Sequence, residues 1–382
     1  MFGSPIDLAA GDQHILSITP ARTLEVRDLS VSVALATYNG GRHLPHQLAD
    51  LSAQTLMPSE VVVCDDDSSD DTVATVEEFA ASAPFPVRIH RNPVRLGYRE
   101  NFMRCAAKCS SELIAFCDQD DRWPSHKLRA AADCFHDPSV LLLFHNARVV
   151  ADDGRPIATL YPPSKPTSRW KPLDGPPWGF SPGFTQVFRR DLLEFDDLWE
   201  LSVDENADGE RLAHDRWYFF LSSVLGSVQY LADCLADYRQ HGHNAYGWRR
   251  FAPSPRALVS DRLNDAGGTI ARRGHASENR AIILDRIAER LTEPSRGRAL
   301  LAAGRFRKLA ERCSIRAQIY EGDSLAKRAK ALLNLLTTRA YGSDPWQFGA
   351  FGLAMDGLTG VTGLHFKSGK PTAGRTDAEK VK

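Results

Sequence analysis

Between residues 31 and 144 the apolar positions alternate between two registers. Short continuous runs at Val31–Thr37, Val61–Cys64, Val87–Ile89, Leu113–Cys117 and Val140–Phe144 predict β-strands. Between them, apolar side chains recur at helical spacing: Leu44, Leu48 and Leu51; Val73, Val76, Phe79 and Ala80; a segment around Asn101 to Lys108; and Leu128, Ala131, Ala132 and Phe135. The cluster Tyr38-Asn39-Gly40-Gly41 marks the turn between the first strand and the first helix. Strands separated by helices of this length predict an α/β fold, a mostly parallel sheet sandwiched by helices. Ligands of such sheets bind beyond the carboxyl ends of the strands. Two of the strands run straight into acid, at Asp65-Asp66-Asp67-Ser68-Ser69-Asp70-Asp71 and at Asp118-Gln119-Asp120-Asp121. Both clusters should therefore face one crevice.

Further along, residues 151–185 are rich in Pro, Gly and Trp and predict a long loop over that crevice. A helix from about Leu212 to Val224 and short strands near Val228 and Leu235 complete the unit. After residue 250 the chain turns to Arg- and Ala-rich helical segments, with breaks near Pro294 and Gly322. The expected organisation is an N-terminal extension (1–29), an α/β domain (30–249) and a basic, mainly helical C-terminal region (250–382).

Composition narrows the function classes. The 382 residues carry 47 basic and 48 acidic side chains, a balance that gives no reason to expect nucleic acid as a partner. The seven cysteines include no CxxC pair, which suits small apolar side chains in a reducing compartment. No apolar run approaches the roughly 20 residues of a membrane-spanning helix. The N-terminus lacks a basic segment followed by an apolar core, so the expected location is the cytoplasm.

Asp118-Gln119-Asp120 is the sharpest chemical feature. Two carboxylates in a short loop after a buried strand suit a hard divalent cation, Mg2+ or Mn2+, which takes oxygen ligands and keeps positions open for phosphate oxygens. The Asp65–Asp71 cluster mimics the start of a calcium loop, but Asp70 and Val76 stand where that loop requires Gly and Glu. As a strand-end loop, Asp65 and Asp66 could accept hydrogen bonds from a nucleobase, while Asp70 and Asp71 favour a helix N-terminus. His43, His46 and His126 are expected in solvent. Trp170 and Trp178, in the Pro/Gly loop, are candidates for stacking on a sugar.

In order along the chain, four blocks resemble the inverting family 2 glycosyltransferases of the GT-A fold. They are Val33-Ala34-Leu35-Ala36-Thr37-Tyr38-Asn39-Gly40; Val63-Cys64-Asp65-Asp66-Asp67-Ser68-Ser69-Asp70-Asp71-Thr72; Arg95-Leu96-Gly97-Tyr98 with Asn101; and Phe116-Cys117-Asp118-Gln119-Asp120-Asp121-Arg122-Trp123 with Lys127. Asp67 stands where the family usually has Gly. The fourth block is similar to the D-Q-D-D-x-W variant of rhamnosyltransferase-like members. Gly183-Phe184-Thr185-Gln186 resembles the acceptor-side segment, His214-Asp215-Arg216-Trp217 the H-D-W block, and Tyr238-Arg239-Gln240-His241-Gly242-His243-Asn244 the closing block.

The resemblance implies a metal-dependent enzyme that moves a sugar from a nucleotide-diphosphate sugar to a glycan or lipid-linked acceptor in cell-surface polysaccharide synthesis. It implies Asp215 as catalytic base, Asp120 as a metal ligand and His241 as a metal ligand or a donor to the diphosphate. Thr37, Tyr38, Asn39, Asp65, Asp66, Arg95, Asn101, Asp118 and Gln119 would hold the nucleotide sugar, and Thr185 and Trp178 would face the acceptor. A metal-dependent nucleotidyltransferase and a non-catalytic nucleotide-sugar or glycan-binding module are the alternatives. Neither a P-loop nor a glycine-rich loop after the first strand is present to favour the former.

The neutral charge sum conceals a split. Residues 250–382 contain 24 Lys/Arg and 13 Asp/Glu, leaving 23 and 35 in residues 1–249. The basic half could dock on an anionic membrane surface, with Lys327-Arg328-Ala329-Lys330 in front. Equally, it could pack against the acidic half.

Overall fold

The computed structural model describes residues 29–242 and 255–363, without the side chains of 255–266. The extension before residue 29, His243 and Asn244 of the closing block, and the expected boundary at 249/250 lie outside the described residues.

Among the described residues, nine strands form one sheet. They are β1 (Val31–Thr37), β2 (Glu60–Asp65), β3 (Val87–Arg91), β4 (Leu113–Asp118), β5 (Val140–Ala151), β6 (Pro156–Thr159), β7 (Ser168–Trp170), β8 (Gln186–Arg189) and β9 (Ser227–Gln240). Their spatial order is β3-β2-β1-β4-β8-β5-β9-β7, with β6 beside β5. The first four strands pair in parallel. Beyond β4 the sheet is mixed: β8 runs antiparallel to both β4 and β5, and β9 runs parallel to β5. The expected parallel sheet therefore occupies the N-terminal half. That half has the crossover helices parallel pairing needs: α1 (Leu44–Ser52), α2 (Thr72–Ala80) and α3 (Tyr98–Ala107).

Side chains alternate across the sheet and build one core on each face. Val31, Val33, Leu35, Val61, Val63, Leu113, Ala115 and Cys117 pack on α1, α2 and α4 (Lys127–Ala132). Ala34, Val62, Cys64, Ile114 and Phe116 point the other way, onto α3 and α5 (His214–Leu225). This second core continues without a break into the C-terminal helices α6 (Pro255–Arg290), α7 (Ser295–Glu321) and α8 (Leu325–Thr337), through Ile283, Leu284, Ile287, Phe306, Leu309 and Leu335. Phe306 bridges Phe220 of α5 and Trp346 by edge-on contacts of 5.8 and 4.8 Å.

The predicted breaks appear as gaps between α6 and α7 at residues 291–294 and between α7 and α8 at 322–324. Gly322 is required there, because a Cβ would meet the Gln318 carbonyl at 2.8 Å. A last helix, α9 (Gly349–Met355), runs into a π-helical turn at Asp356–Val361. Asp356 is buried there, paired with Arg316 of α7 at 2.6 Å and accepting from the Tyr320 and Tyr341 hydroxyls.

Two expectations change. The short strands near Val228 and Leu235 are one long strand, β9, whose register against β5 shifts at bulges. The loop 151–185 contains β6, β7 and a 3-10 turn at Gly183–Thr185.

Candidate active site

The carboxyl ends of β1, β2 and β4 lie side by side: Thr37 pairs with Asp65, and Ala36 with Asp118. Both acidic clusters thus open on one edge of the sheet. Their environments differ sharply.

The β1 and β2 ends are laced together. Asp65 accepts hydrogen bonds from the Thr37 hydroxyl at 3.0 Å, the Ser68 amide at 2.9 Å and the Ser68 hydroxyl at 2.5 Å. Asp66 accepts from the Leu96 and Gly97 amides at 2.7 and 2.8 Å and from the Asn92 side chain at 3.0 Å. Asn101, buried on α3, donates to the Cys64 carbonyl and accepts from Asn92. Asn39 adopts φ 46° and accepts from the Ser69 amide at 2.9 Å. Asp70 accepts from Thr72 at the start of α2 and from the Gly41 amide; these bonds outweigh burial, which would raise its pKa, and hold it below the usual carboxylate range. Asp65, Asp66 and Asn101 were expected to meet the nucleotide. Their polar atoms serve protein donors and acceptors that also shape the loops of the crevice. Tyr38 and Arg95 stack at its mouth, with the guanidinium 3.9 Å from the ring centre.

Gln119 links the two clusters. Its amide accepts from the Tyr38 N–H at 2.9 Å and donates to the Tyr38 carbonyl at 3.0 Å. A Cβ at Gly40 would overlap that amide, which accounts for the glycine.

The β4 end gathers its carboxyls with fewer hydrogen-bond donors. Burial, reinforced by Asp120 and Asp215 and opposed by Lys127, pushes the Asp118 carboxyl up to about 7. Burial likewise pushes Asp121 up, with Asp120 and Asp118 adding to it. Asp121 accepts from the Arg239 amide at 3.3 Å on one oxygen; its other oxygen is buried without a hydrogen-bond partner. Asp120 meets His241, just past the end of β9, with 2.7 Å between Oδ2 and Nε2. One carboxylate and one imidazole, beside an orphaned buried acceptor, fit a divalent cation that takes its other ligands from phosphate and water. No cluster of three or more His, Cys, Asp or Glu side chains suited to a metal occurs among the described residues.

Asp215 lies in the first turn of α5, where a helix dipole alone would hold a carboxyl down. Instead burial pushes it up to about 6, against the opposing pull of Arg216 and Arg99. The Arg216 amide donates to Asp215 Oδ1 at 2.8 Å, and Gln186 of β8 donates to the Asp215 carbonyl at 3.0 Å. His214 beside it is held neutral: burial, then Arg99, lower it to about 3 as it stacks on Phe102 at 4.1 Å.

Several expectations are revised. Thr185 is fully buried and its hydroxyl donates to the Pro182 carbonyl at 2.7 Å, so it braces a turn instead of facing an acceptor. Trp178 is half-buried against the second core with Arg273 above its ring, and Trp170 packs on Phe144 and Phe219. His46 and His126 are exposed, but His43 is buried, stacked on His241 at 4.8 Å and 3.0 Å from Arg239. Three residues emerge that sequence reasoning had not singled out for a role. Lys127 is fully buried, donates to the Phe184 carbonyl at 2.7 Å and lies 3.6 Å over the Trp123 ring, facing Asp118 and Asp121. Glu205 and Arg280 form a buried pair at 2.9 Å, and Glu205 also takes Arg216 at 2.9 Å. The signal for Lys127 was its place beside Leu128 on the inward face of α4; Glu205 and Arg280 left none.

Residues 32–195 match the model of Glycosyl transferase family 2. Over 223 residues the chain is 26% identical to an uncharacterized glycosyltransferase of Nostoc sp., across 56% of this chain and 66% of the relative. It is 34% identical over 147 residues to an uncharacterized protein of Mycobacterium tuberculosis, across 38% and 43%. It is 27% identical over 225 residues to the dTDP-rhamnosyl transferase RfbG of Shigella flexneri, across 56% and 73%. The chain thus spans less than two thirds of the length of the first two.

Proposed function

We propose that this chain is an inverting glycosyltransferase moving a sugar from a nucleoside-diphosphate sugar to a hydroxyl of a glycan or lipid-linked acceptor. The observation that carries the reading is the crevice itself. The Asp118 carboxyl feels the charge of Asp215 beside the Asp120–His241 pair. Asp215 is the base. It takes the acceptor proton as the hydroxyl oxygen attacks the anomeric carbon from the face opposite the diphosphate, through an oxocarbenium-like transition state. A carboxyl near 6 is ionised at neutral pH yet basic enough to accept a proton. Asp120 and His241 would hold a Mg2+ or Mn2+, which supplies positive charge against the departing diphosphate. Asp118, with Lys127 beneath it, lines the nucleotide side; Tyr38 and Arg95 close the mouth.

The D-Q-D-D-x-W block and the dTDP-rhamnosyl transferase among the relatives support a deoxysugar donor. The test is incubation with UDP-, dTDP- and GDP-sugars, with and without Mn2+, in the presence of lipid-linked and free glycan acceptors. Metal-dependent release of one nucleoside diphosphate is expected, lost in Asp215→Asn with nucleotide binding retained. Release of pyrophosphate would instead make the chain a nucleotidyltransferase. Binding with no release on any acceptor would make it a binding module.

A further inference from the structure

The basic C-terminal half is divided in two. Arginines of α6 and α7 are spent inside the protein: Arg280 on Glu205, Arg290 on Asp197, Arg316 on Asp356 and Arg307 on Asp285. The first two pairs join these helices to residues 1–249, and the other two lie within the C-terminal half itself. The last two helices are built differently. The buried side of α8 is Ala331 and Leu335. Leu325, Ala329, Leu333 and Leu336 follow at i, i+4, i+8 and i+11 on a face left in solvent, with the leucines 60%, 61% and 43% exposed. Lys327 and Lys330 are exposed alongside, Lys327 in an exposed ion pair with Asp323 at 2.8 Å, and no acid occurs between Leu325 and Thr337. The neighbouring α9 and its π-helical turn repeat the pattern with Phe351, Ala354 and Leu358 at i, i+3 and i+7; Phe351 is 47% exposed and Leu358 64%. The single acid of that segment, Asp356, is turned inward onto Arg316. Five of the twelve large apolar side chains exposed among the described residues thus fall within these two adjoining helices.

An apolar stripe bordered by lysines, with its nearest acid Asp323 at the N-terminal end of α8, is complementary to a surface that is negative outside and hydrocarbon beneath. We propose that α8 and α9 form an interfacial membrane-docking face. The leucines and Phe351 enter the headgroup–acyl boundary of an anionic bilayer, and Lys327 and Lys330 meet its phosphates. No helix among the described residues is long and apolar enough to cross a membrane, so the contact lies in the plane of the interface. The face is separate from the crevice and does not depend on its chemistry.

Flotation of the full chain with vesicles of phosphatidylcholine, alone or mixed with phosphatidylglycerol, tests this. The protein should float with the anionic vesicles and be released by salt. Lys327→Gln with Lys330→Gln should lower partitioning by up to about 25-fold, since each basic residue near such a surface contributes roughly fivefold. Leu333→Gln with Leu336→Gln should abolish flotation. Leu300→Gln with Leu301→Gln, an exposed pair on α7, should leave it unchanged. Thermal melting and donor-sugar binding confirm that each variant is folded. Absence of flotation, equal flotation of all variants, or a self-association in sedimentation velocity that Leu333→Gln abolishes would overturn the proposal, the last by assigning the face to a second copy of the chain.

Discussion

Two acid-rich loops leave the same edge of one sheet and treat their carboxylates in opposite ways. At the end of β2, Asp65 and Asp66 are buried, yet each accepts three hydrogen bonds from neighbouring groups. At the end of β4, Asp118 and Asp121 are pushed toward protonation, and one Asp121 oxygen finds no donor. Asp215, across the crevice, belongs to the second class. A satisfied carboxylate is a strut, whose energy is already committed to holding backbone in place. An unsatisfied one costs folding free energy that only a ligand, a cation or a proton can return. Composition treats both loops alike; hydrogen bonding separates scaffold from chemistry.

Asp215→Asn should widen the contrast most. Loss of the base is expected to lower transfer by about 10²–10⁴-fold. In the parent, kcat/KM should fall about tenfold per pH unit below about 6, as the carboxyl protonates. Stability should move the other way. The folded carboxyl titrates near 6, against about 3.9 in an unfolded chain. Between those values the native state holds more protons, so stability falls as pH rises from about 4 to about 6 and stays lower above. With solvent screening of a partly exposed group allowed for, removing the charge should return on the order of 2 kcal/mol at pH 8. Had Asp215 served only to complement the helix dipole, the same change would lower stability by up to about 1 kcal/mol. Denaturant unfolding of the variant at pH 5 and pH 8 reads the sign directly.

On the strut side, Asp66→Ala should destabilise by about 3 kcal/mol, because it strands the Leu96 and Gly97 amides and the Asn92 side chain without an acceptor. Loss of nucleotide affinity should accompany it through displacement of the Arg95 loop, with the pH profile of turnover unmoved. An Asp66→Ala protein as stable as the parent would show that the amides find water, and that Asp66 is held for a ligand.

How much of this was legible in the sequence follows the same division. β1, β2 and β4 are buried on both faces and read as unbroken apolar runs, so they and the acid at their ends could be placed in advance. Pro294 and Gly322 punctuate the C-terminal helices as they should. β9 was read as two pieces because bulges interrupt its alternation, and β6 and β7 hid in a Pro/Gly-rich stretch. The pairing of Asp120 with His241 and the place of Asp70 at the start of α2 were legible; the partners of other polar residues were not. Asp66 is claimed by amides 30 residues away, Lys127 by a carbonyl of residue 184, and His43 by the end of β9. Such partners come from the tertiary fold, and nothing in local patterning marks a charged side chain as enclosed.

Asp67 falls between the two classes and offers the finest test. It occupies the position where Gly would suit the backbone, with φ 63°, and its carboxylate is half out in solvent, 3.2 Å from Arg91. The left-handed conformation costs a non-glycine residue on the order of 1 kcal/mol, somewhat less for Asp, while an exposed ion pair contributes about 0.2–1 kcal/mol. Asp67→Gly removes both, and the added freedom of Gly in the unfolded chain offsets part of the gain. The net expectation is a small stabilisation, about 0.5 kcal/mol, that grows in high salt as the parent loses its ion pair to screening. Asp67→Asn, which tolerates the same φ, should instead lose a few tenths of a kcal/mol, and only at low salt. If Asp67→Gly destabilised by more than about 1 kcal/mol at every ionic strength, the side chain would be a strut like Asp65 and Asp66. The boundary between scaffold and exposed surface would then lie one residue further along the loop.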